Sequence, residues 1–153
     1  LDKQFESYNY AIGKKNSIGK INYALNSVSS SILKTHPRHI KYNKGTISKE
    51  KKKIVIKNLK NFKSKIEKNK TLLKLDTQGY EYEILSSAQS IIKYFKIIQL
   101  ETSFRKVYYL EKNWLKSLEL LQKNGFYIID IFYGIRNSNL ELMQCDLILK
   151  RFK

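Results

Sequence analysis

Three carboxylates carry most of the chemistry this sequence could do. Asp76 follows the apolar run Leu72-Leu73-Lys74-Leu75, and Glu101 follows Ile98-Gln99-Leu100, while Glu81 opens the helical pattern just beyond Asp76. In open parallel sheets, ligands bind outside the carboxyl ends of the strands. Acids at those ends can orient a substrate hydroxyl, take its proton or hold a cation. Gly79, in the turn after Asp76, permits a close backbone approach or a positive φ, and Tyr108-Tyr109 is of a type that lines pockets. Each acid also has a purely structural reading: Asp76 as a helix N-cap, Glu81 as a partner of the helix dipole, Glu101 as a strand-end acid in solvent. The placement of the acids on neighbouring strand ends keeps both readings open.

Other reactive residues offer less. His36 and His39 flank Pro37-Arg38, but no third ligand follows at metal-site spacing, so no metal is expected. Cys145 alternates with Asp146 on an apolar strand and reads as a small buried residue. Ser29-Ser30-Ser31 lacks the glycine frame of a nucleophile elbow. Neither G-x-G-x-x-G nor G-x-x-x-x-G-K-[ST] occurs.

The elements that would hold these residues become more regular along the chain. Phe5 to Ile12 (FESYNYAI) is aromatic and β-branched and reads as a strand, as does Ile18 to Leu25. A polar segment runs from Asn26 to the only proline, Pro37. Lys53 to Leu59 alternates Lys with apolar residues as a strand would, and Phe62, Ile66 and Asn69 suggest lysine-rich helical turns. Thr71 to Leu75 is a buried-strand candidate. From Tyr80 to Tyr94, Ile84, Leu85, Ala88, Ile91 and Ile92 recur at helical spacing, a helix that Thr77 or Asp76 could cap. Ile97 to Leu100 is the next strand. Leu110, Trp114, Leu118 and Leu121 make an amphipathic helix closed by Asn124-Gly125. Phe126 to Phe132 and Leu142 to Leu149 are the last strands, joined through Gly134 to Asn139. Alternation of strands and helices predicts an α/β fold with a mostly parallel sheet, and the short last connection predicts one final antiparallel strand.

Length and composition bound the rest. The chain has 153 residues, enough for one domain, with 42% hydrophobic residues for a packed core. No apolar run is long enough for a spanning helix. A single cysteine excludes an intrachain disulfide and suits a reducing, cytoplasmic compartment. Net charge is +17, which at first suggests a nucleic-acid or anionic surface. Yet of 30 basic residues only Arg38, Arg105, Arg136 and Arg151 are arginine, whereas base and phosphate recognition favours the planar guanidinium. The abundant Lys, Ile, Asn and Tyr all have A/T-rich codons, so genome composition accounts for much of the charge. Residues 41–70 hold twelve Lys against Glu50 and Glu67, and a solvated, lysine-coated excursion is the expected form of that stretch. Nucleic acid is disfavoured as a partner; the competing reading is a basic α/β binding module for nucleic acid or an anionic polysaccharide.

The segment Leu72-Leu73-Lys74-Leu75-Asp76-Thr77-Gln78-Gly79-Tyr80-Glu81-Tyr82-Glu83-Ile84-Leu85 resembles the L-K-x-D-x-[EQ]-G-x-E-x-x-[IVL]-L signature of FkbM-type methyltransferases. Ile98-Gln99-Leu100-Glu101, Asn124-Gly125-Phe126 and Gln144-Cys145-Asp146-Leu147-Ile148 resemble its later strands in order and spacing. Asn9-Tyr10-Ala11-Ile12-Gly13 resembles its third strand and turn, and Ser29-Ser30-Ser31 its serine-rich segment. Two positions depart from the pattern: Asn58-Leu59-Lys60 stands where T-L-D is common, and Ser87-Ala88 where Gly-Ala is common.

The resemblance implies a seven-stranded, Rossmann-like, S-adenosylmethionine-dependent O-methyltransferase acting on a hydroxyl of a sugar, glycan or other small metabolite. In such folds the first strand carries the glycine-rich cofactor loop and the second ends in a ribose-binding acid. The chain would then be one methyltransferase domain, 1–153, beginning near the third strand and unable to complete a cofactor site alone; an inactive remnant is the further alternative. By the same resemblance Asp76, Glu81 and Glu101 are the catalytic candidates. Ala11 and Ile12 flank the adenine, with Asp76 beside the transferred methyl, and Gln78, Gly79 and Tyr108 line the acceptor. Neither the acceptor nor the oligomeric state follows from the sequence.

Overall fold

The computed structural model describes residues 5–152. Strands β1 (Ala11–Gly13), β2 (Ser17–Ala24) and β3 (Ser48–Asn58) form one sheet in the order β1-β3-β2. Strands β4 (Leu72–Leu75), β5 (Ile97–Ser103), β6 (Phe126–Tyr133) and β7 (Gln144–Arg151) form a second, ordered β4-β5-β7-β6. Helix α1 (Pro37–Tyr42) lies between β2 and β3 in the chain, α2 (Glu81–Ser87) and α3 (Gln89–Ile92) between β4 and β5, and α4 (Trp114–Lys123) between β5 and β6.

The α/β composition agrees with the sequence, but the expected mostly parallel sheet must be corrected. Only β1/β3 and β4/β5 are parallel; β2/β3, β5/β7 and β6/β7 are antiparallel. The last strand does not close an edge. It inserts between β5 and β6, pairing Glu101 with Asp146 on one side and Phe132 with Asp146 on the other. The β6/β7 pairing follows from the short connection, but the β5/β7 pairing joins residues far apart in sequence, and local patterning reads strands without their distant partners.

The core belongs to the second sheet. Ile84, Leu85, Ala88, Ile91 and Ile92, the stripe expected from Tyr80 onward, are all buried against Leu75, Ile98, Leu100, Leu121, Phe126, Leu147 and Leu149. The helix carrying that stripe is broken into α2 and α3 at Ala88 (φ −109°, ψ 15°). The Ser87 hydroxyl donates to the Ile84 carbonyl at 3.0 Å and the Ser86 hydroxyl to Glu83 at 3.2 Å, a back-bonding that weakens the helical ladder. Helix α4 ends where its sequence suggests but starts later: Leu110, expected on its apolar face, is exposed with φ 64° and lies outside the helix, which begins at Trp114. The Asn113 side chain accepts from Leu115 N at 2.9 Å, and Gly125 follows with φ +83°, the left-handed conformation that ends helices.

Two further differences have local causes. Of the Phe5–Ile12 segment only Ala11 and Ile12 are in a strand. Tyr8 and Tyr10 instead stack with each other (5.4 Å between centroids) and each meets Phe62 (5.9 Å), so aromatic residues read as strand formers make a cluster over the 3₁₀ turn Leu59–Lys65. Within the lysine-rich stretch 41–70, residues 48–58 are the long strand β3, paired on both edges, with Lys49, Lys51, Lys52 and Lys53 exposed, so this part is not the solvated excursion expected of it. No helix among the described residues is long and apolar enough to cross a membrane.

Candidate active site

The turn from β4 into α2 is built around two consecutive left-handed residues, Gln78 (φ 55°) and Gly79 (φ 90°). A side chain at Gly79 would have its Cβ 2.7 Å from Tyr108 Cδ2, so this position requires glycine for space as well as for conformation. The turn is tied from below by Glu81. Its Oε1 accepts from Thr77 N at 2.8 Å, Thr77 Oγ1 at 3.1 Å and Gly79 N at 3.2 Å. Neither Thr77 nor Asp76 caps α2; the N-cap is Tyr80, without a side-chain bond. The buried Glu81 side chain instead takes up the Thr77 and Gly79 amides, which precede the helix, so it ties the turn and is not a cap.

With the turn fixed, Gln78 spans from the end of β4 to Glu101, which lies within β5 because that strand runs on to Ser103 and does not stop at Leu100 as its apolar run suggests. Its Nε2 donates to Asp76 Oδ1 at 2.8 Å and to Glu101 Oε2 at 3.2 Å, while its Oε1 accepts from the Tyr108 hydroxyl at 2.7 Å. Its backbone carbonyl accepts from the buried Ser31 hydroxyl at 2.7 Å. Asp76 is exposed and stands 3.6 Å from Lys74 Nζ. Behind the acids, Gly79, Glu81, Glu101, Glu111 and Ser117 border a crevice of about 10 Å³, room for one water. A larger molecule therefore meets the acids from the open side of Asp76.

The electrostatics follow from this crowding. Burial, then the Asp76 and Glu81 charges, push Glu101 up to about 8, and a side-chain hydrogen bond with Asp76 also favours its protonated form. Burial pushes Glu81 up as well, with its bonds from Thr77 and Gly79 pulling the other way. The Tyr108 hydroxyl is driven far above its ordinary range, first by burial and then by the Glu101 charge, and so stays a donor.

The structure thus brings together Asp76, Gln78, Gly79, Glu81, Glu101 and Tyr108. Ala11 and Ile12 lie in the other sheet, half-buried on β1, and β1 borders the site through Gly13, whose added Cβ would sit 3.4 Å from the Tyr80 ring. Two contributors were not singled out from sequence. Glu111 Oε2 accepts from Val107 N at 2.8 Å and Tyr108 N at 2.9 Å, fixing the tyrosine. Ser31 was visible only as part of a serine run; its reach to Gln78 spans 47 residues, beyond any local pattern. His36 caps α1 through Nδ1, accepting from Arg38 N at 3.2 Å. Cys145 is buried, as its strand pattern suggests. Among the described residues no group of three or more His, Cys, Asp or Glu is placed to hold a metal ion.

Comparison with known proteins adds one match. A family model described as "Methyltransferase FkbM domain" covers residues 3–128, which includes every residue of the acidic turn, β5 and Tyr108. No curated protein and no solved structure matches the chain. Because the match takes in most of the sequence and all of the hydrogen-bonded site, the chain belongs to the FkbM methyltransferase family.

Proposed function

We propose that the protein is an S-adenosylmethionine-dependent O-methyltransferase whose acceptor hydroxyl binds at the Asp76–Glu101 carboxyl pair. The observation that carries this reading is the bridging of both acids by the Gln78 amide. One amide donor shared between two acids, one of them raised to about 8, leaves the pair able to hold a single proton near neutral pH. Such a pair can accept the proton that a hydroxyl loses as its oxygen is alkylated.

The residues suit the proposed cofactor in charge. The cofactor supplies an electrophilic methyl on a sulfonium, and three acids with one neighbouring cation, Lys74 at 3.6 Å from Asp76, are compatible with a cation beside them. Half-buried Ala11 and Ile12 offer an apolar flank for the adenine. Asp76, the most open of the acids, orients the hydroxyl; Glu101 shares its proton through the pair; Glu81 holds the turn through Thr77 and Gly79. Tyr108 fixes the Gln78 amide so that its NH₂ faces the acids, making it a positioning residue. Methyl transfer depends on in-line approach, so much of the contribution from these groups is orientation.

Replacing Asp76 by Ala tests the assignment. Turnover should fall at least ~100-fold, the low end of general acid–base effects, with folding unchanged because Asp76 is exposed. Turnover near the parental value would remove Asp76 from the reaction.

A further inference from the structure

A second cleft lies beside the acids. Helix α1, the segment after β5 and the β6–β7 connection enclose a cleft of about 720 Å³, lined among others by Arg38, His39, Arg105, Lys106, Arg136 and Glu141. This volume is that of a small-molecule site. Its residue choice departs from the rest of the chain: basic residues here are overwhelmingly lysine, yet three of the four arginines converge on this cleft. A background that favours lysine gives no reason for that convergence, whereas the planar, bidentate guanidinium is suited to phosphate oxygens. None of Arg38, Arg105, Lys106 and Arg136 forms an ion pair among the described residues. The one acid on the wall, Glu141, accepts from Asn137 Nδ2 at 2.7 Å, leaving a strong local excess of positive charge.

The cleft and the acidic turn share a wall. His36 N donates to the Val107 carbonyl at 2.8 Å on the cleft side, and the next residue, Tyr108, donates its hydroxyl to Gln78 on the other. Arg105 follows Glu101 by only four residues (105 − 101), so their Cα atoms are at most ~14 Å apart at the extended limit per residue. We propose that this cleft binds a phosphate or diphosphate ester group on the acceptor, so that the substrate is a phosphorylated small molecule held by its anion while its hydroxyl reaches the acids. The inference rests on the methyltransferase reading for the hydroxyl but not for the anion. A concave site of this volume favours a small phosphate ester over a nucleic-acid strand, which would follow the exposed lysines of β3.

Titration of the full chain with inorganic pyrophosphate, followed by calorimetry, tests it. Arg38→Ala and Arg105→Ala, both exposed in the structure, should each weaken binding at least ~10-fold, as loss of a charge-assisted bond does. Arg105→Lys should recover part of the loss, and Lys51→Ala on β3 should bind as the parent does. Equal binding by the arginine variants, or equal weakening by Lys51→Ala, would overturn the proposal, as would tight binding of a single-stranded oligonucleotide in place of pyrophosphate. Near-ultraviolet circular dichroism on each variant establishes that the fold is kept. If arginine-dependent binding persists while no methyl transfer to any hydroxyl is found, the anion site stands and the methyltransferase reading falls.

Discussion

Tyr108 and Gln78 are joined by a 2.7 Å hydrogen bond in which the phenol donates to the amide oxygen. That single contact decides which way the amide faces, and with it the fate of two acids. With its oxygen taken, Gln78 can only present its NH₂ to Asp76 and Glu101. Tyr108 is itself held by Glu111 through its backbone amide, so the order of control runs from the loop after β5 to the turn after β4.

Replacing Gln78 by Leu removes the shared donor and leaves the Tyr108 hydroxyl short of its best acceptor. We expect a loss of ~1–3 kcal/mol in stability, the usual cost of unsatisfied buried polar groups. The Glu101 carboxyl should move still higher. Thermal unfolding and carboxyl ¹³C NMR titration read the two effects, and an unmoved Glu101 would show that the amide does not bridge the pair.

Glu101 should make stability fall with rising pH. Unfolded, it loses its proton near 4.5; folded, it holds it to about 8. Between those values the folded state carries a proton the unfolded state has lost, so the slope is negative, at most ~1.4 kcal/mol per pH unit from this group. Burial raises Glu81 and Glu111 in the same direction, adding to the trend. Glu101→Gln should flatten the denaturation profile measured across pH 5–8, about the window between the two values; an unchanged slope would assign it to the other acids.

Glu81 is expected to matter through its oxygen more than through its charge. Glu81→Gln retains an acceptor for Thr77 and Gly79, and should lose much less stability than Glu81→Ala, which strands both amides at ~1–3 kcal/mol. Hydrogen exchange at Thr77 and Gly79 should quicken only in the alanine variant. Equal exchange in both would mean that the turn does not depend on this tie.

Gly79→Ala strains the turn twice, by φ +90° and by the 2.7 Å approach of its Cβ to Tyr108. We expect a destabilisation of ~1–3 kcal/mol, as for an overpacked core position. In a double-mutant cycle, Tyr108→Ala should relieve the steric part and leave the conformational part. Strict additivity of the two variants would contradict the contact.

How much of this was legible in the sequence divides along the chain. The stripe Ile84, Leu85, Ala88, Ile91 and Ile92 was readable because helical spacing is a local property, and all five residues are buried. Asp76 was readable because it follows the apolar run of β4; Glu101 was found by the same rule, but β5 runs on to Ser103, so that acid sits within the strand opposite Asp146 and not at its end. The insertion of β7 between β5 and β6 was not, since period-two patterning is the same for any partner. Nor was the reach of Ser31 to Gln78 or the grip of Glu111 on Tyr108, because polar side chains that fold back on distant backbone leave no period. The arginine cleft was hidden for a related reason: Arg38, Arg105 and Arg136 look unremarkable one at a time and are gathered only by the fold.

The most direct test of the central claim is calorimetric binding of S-adenosylmethionine, with S-adenosylhomocysteine as competitor, to the full-length protein. A methyltransferase built around the Asp76–Glu101 pair predicts saturable, competed binding, persisting in Gln78→Leu and absent with adenosine, which lacks the methionine side chain. Absence of binding by the folded protein would contradict it.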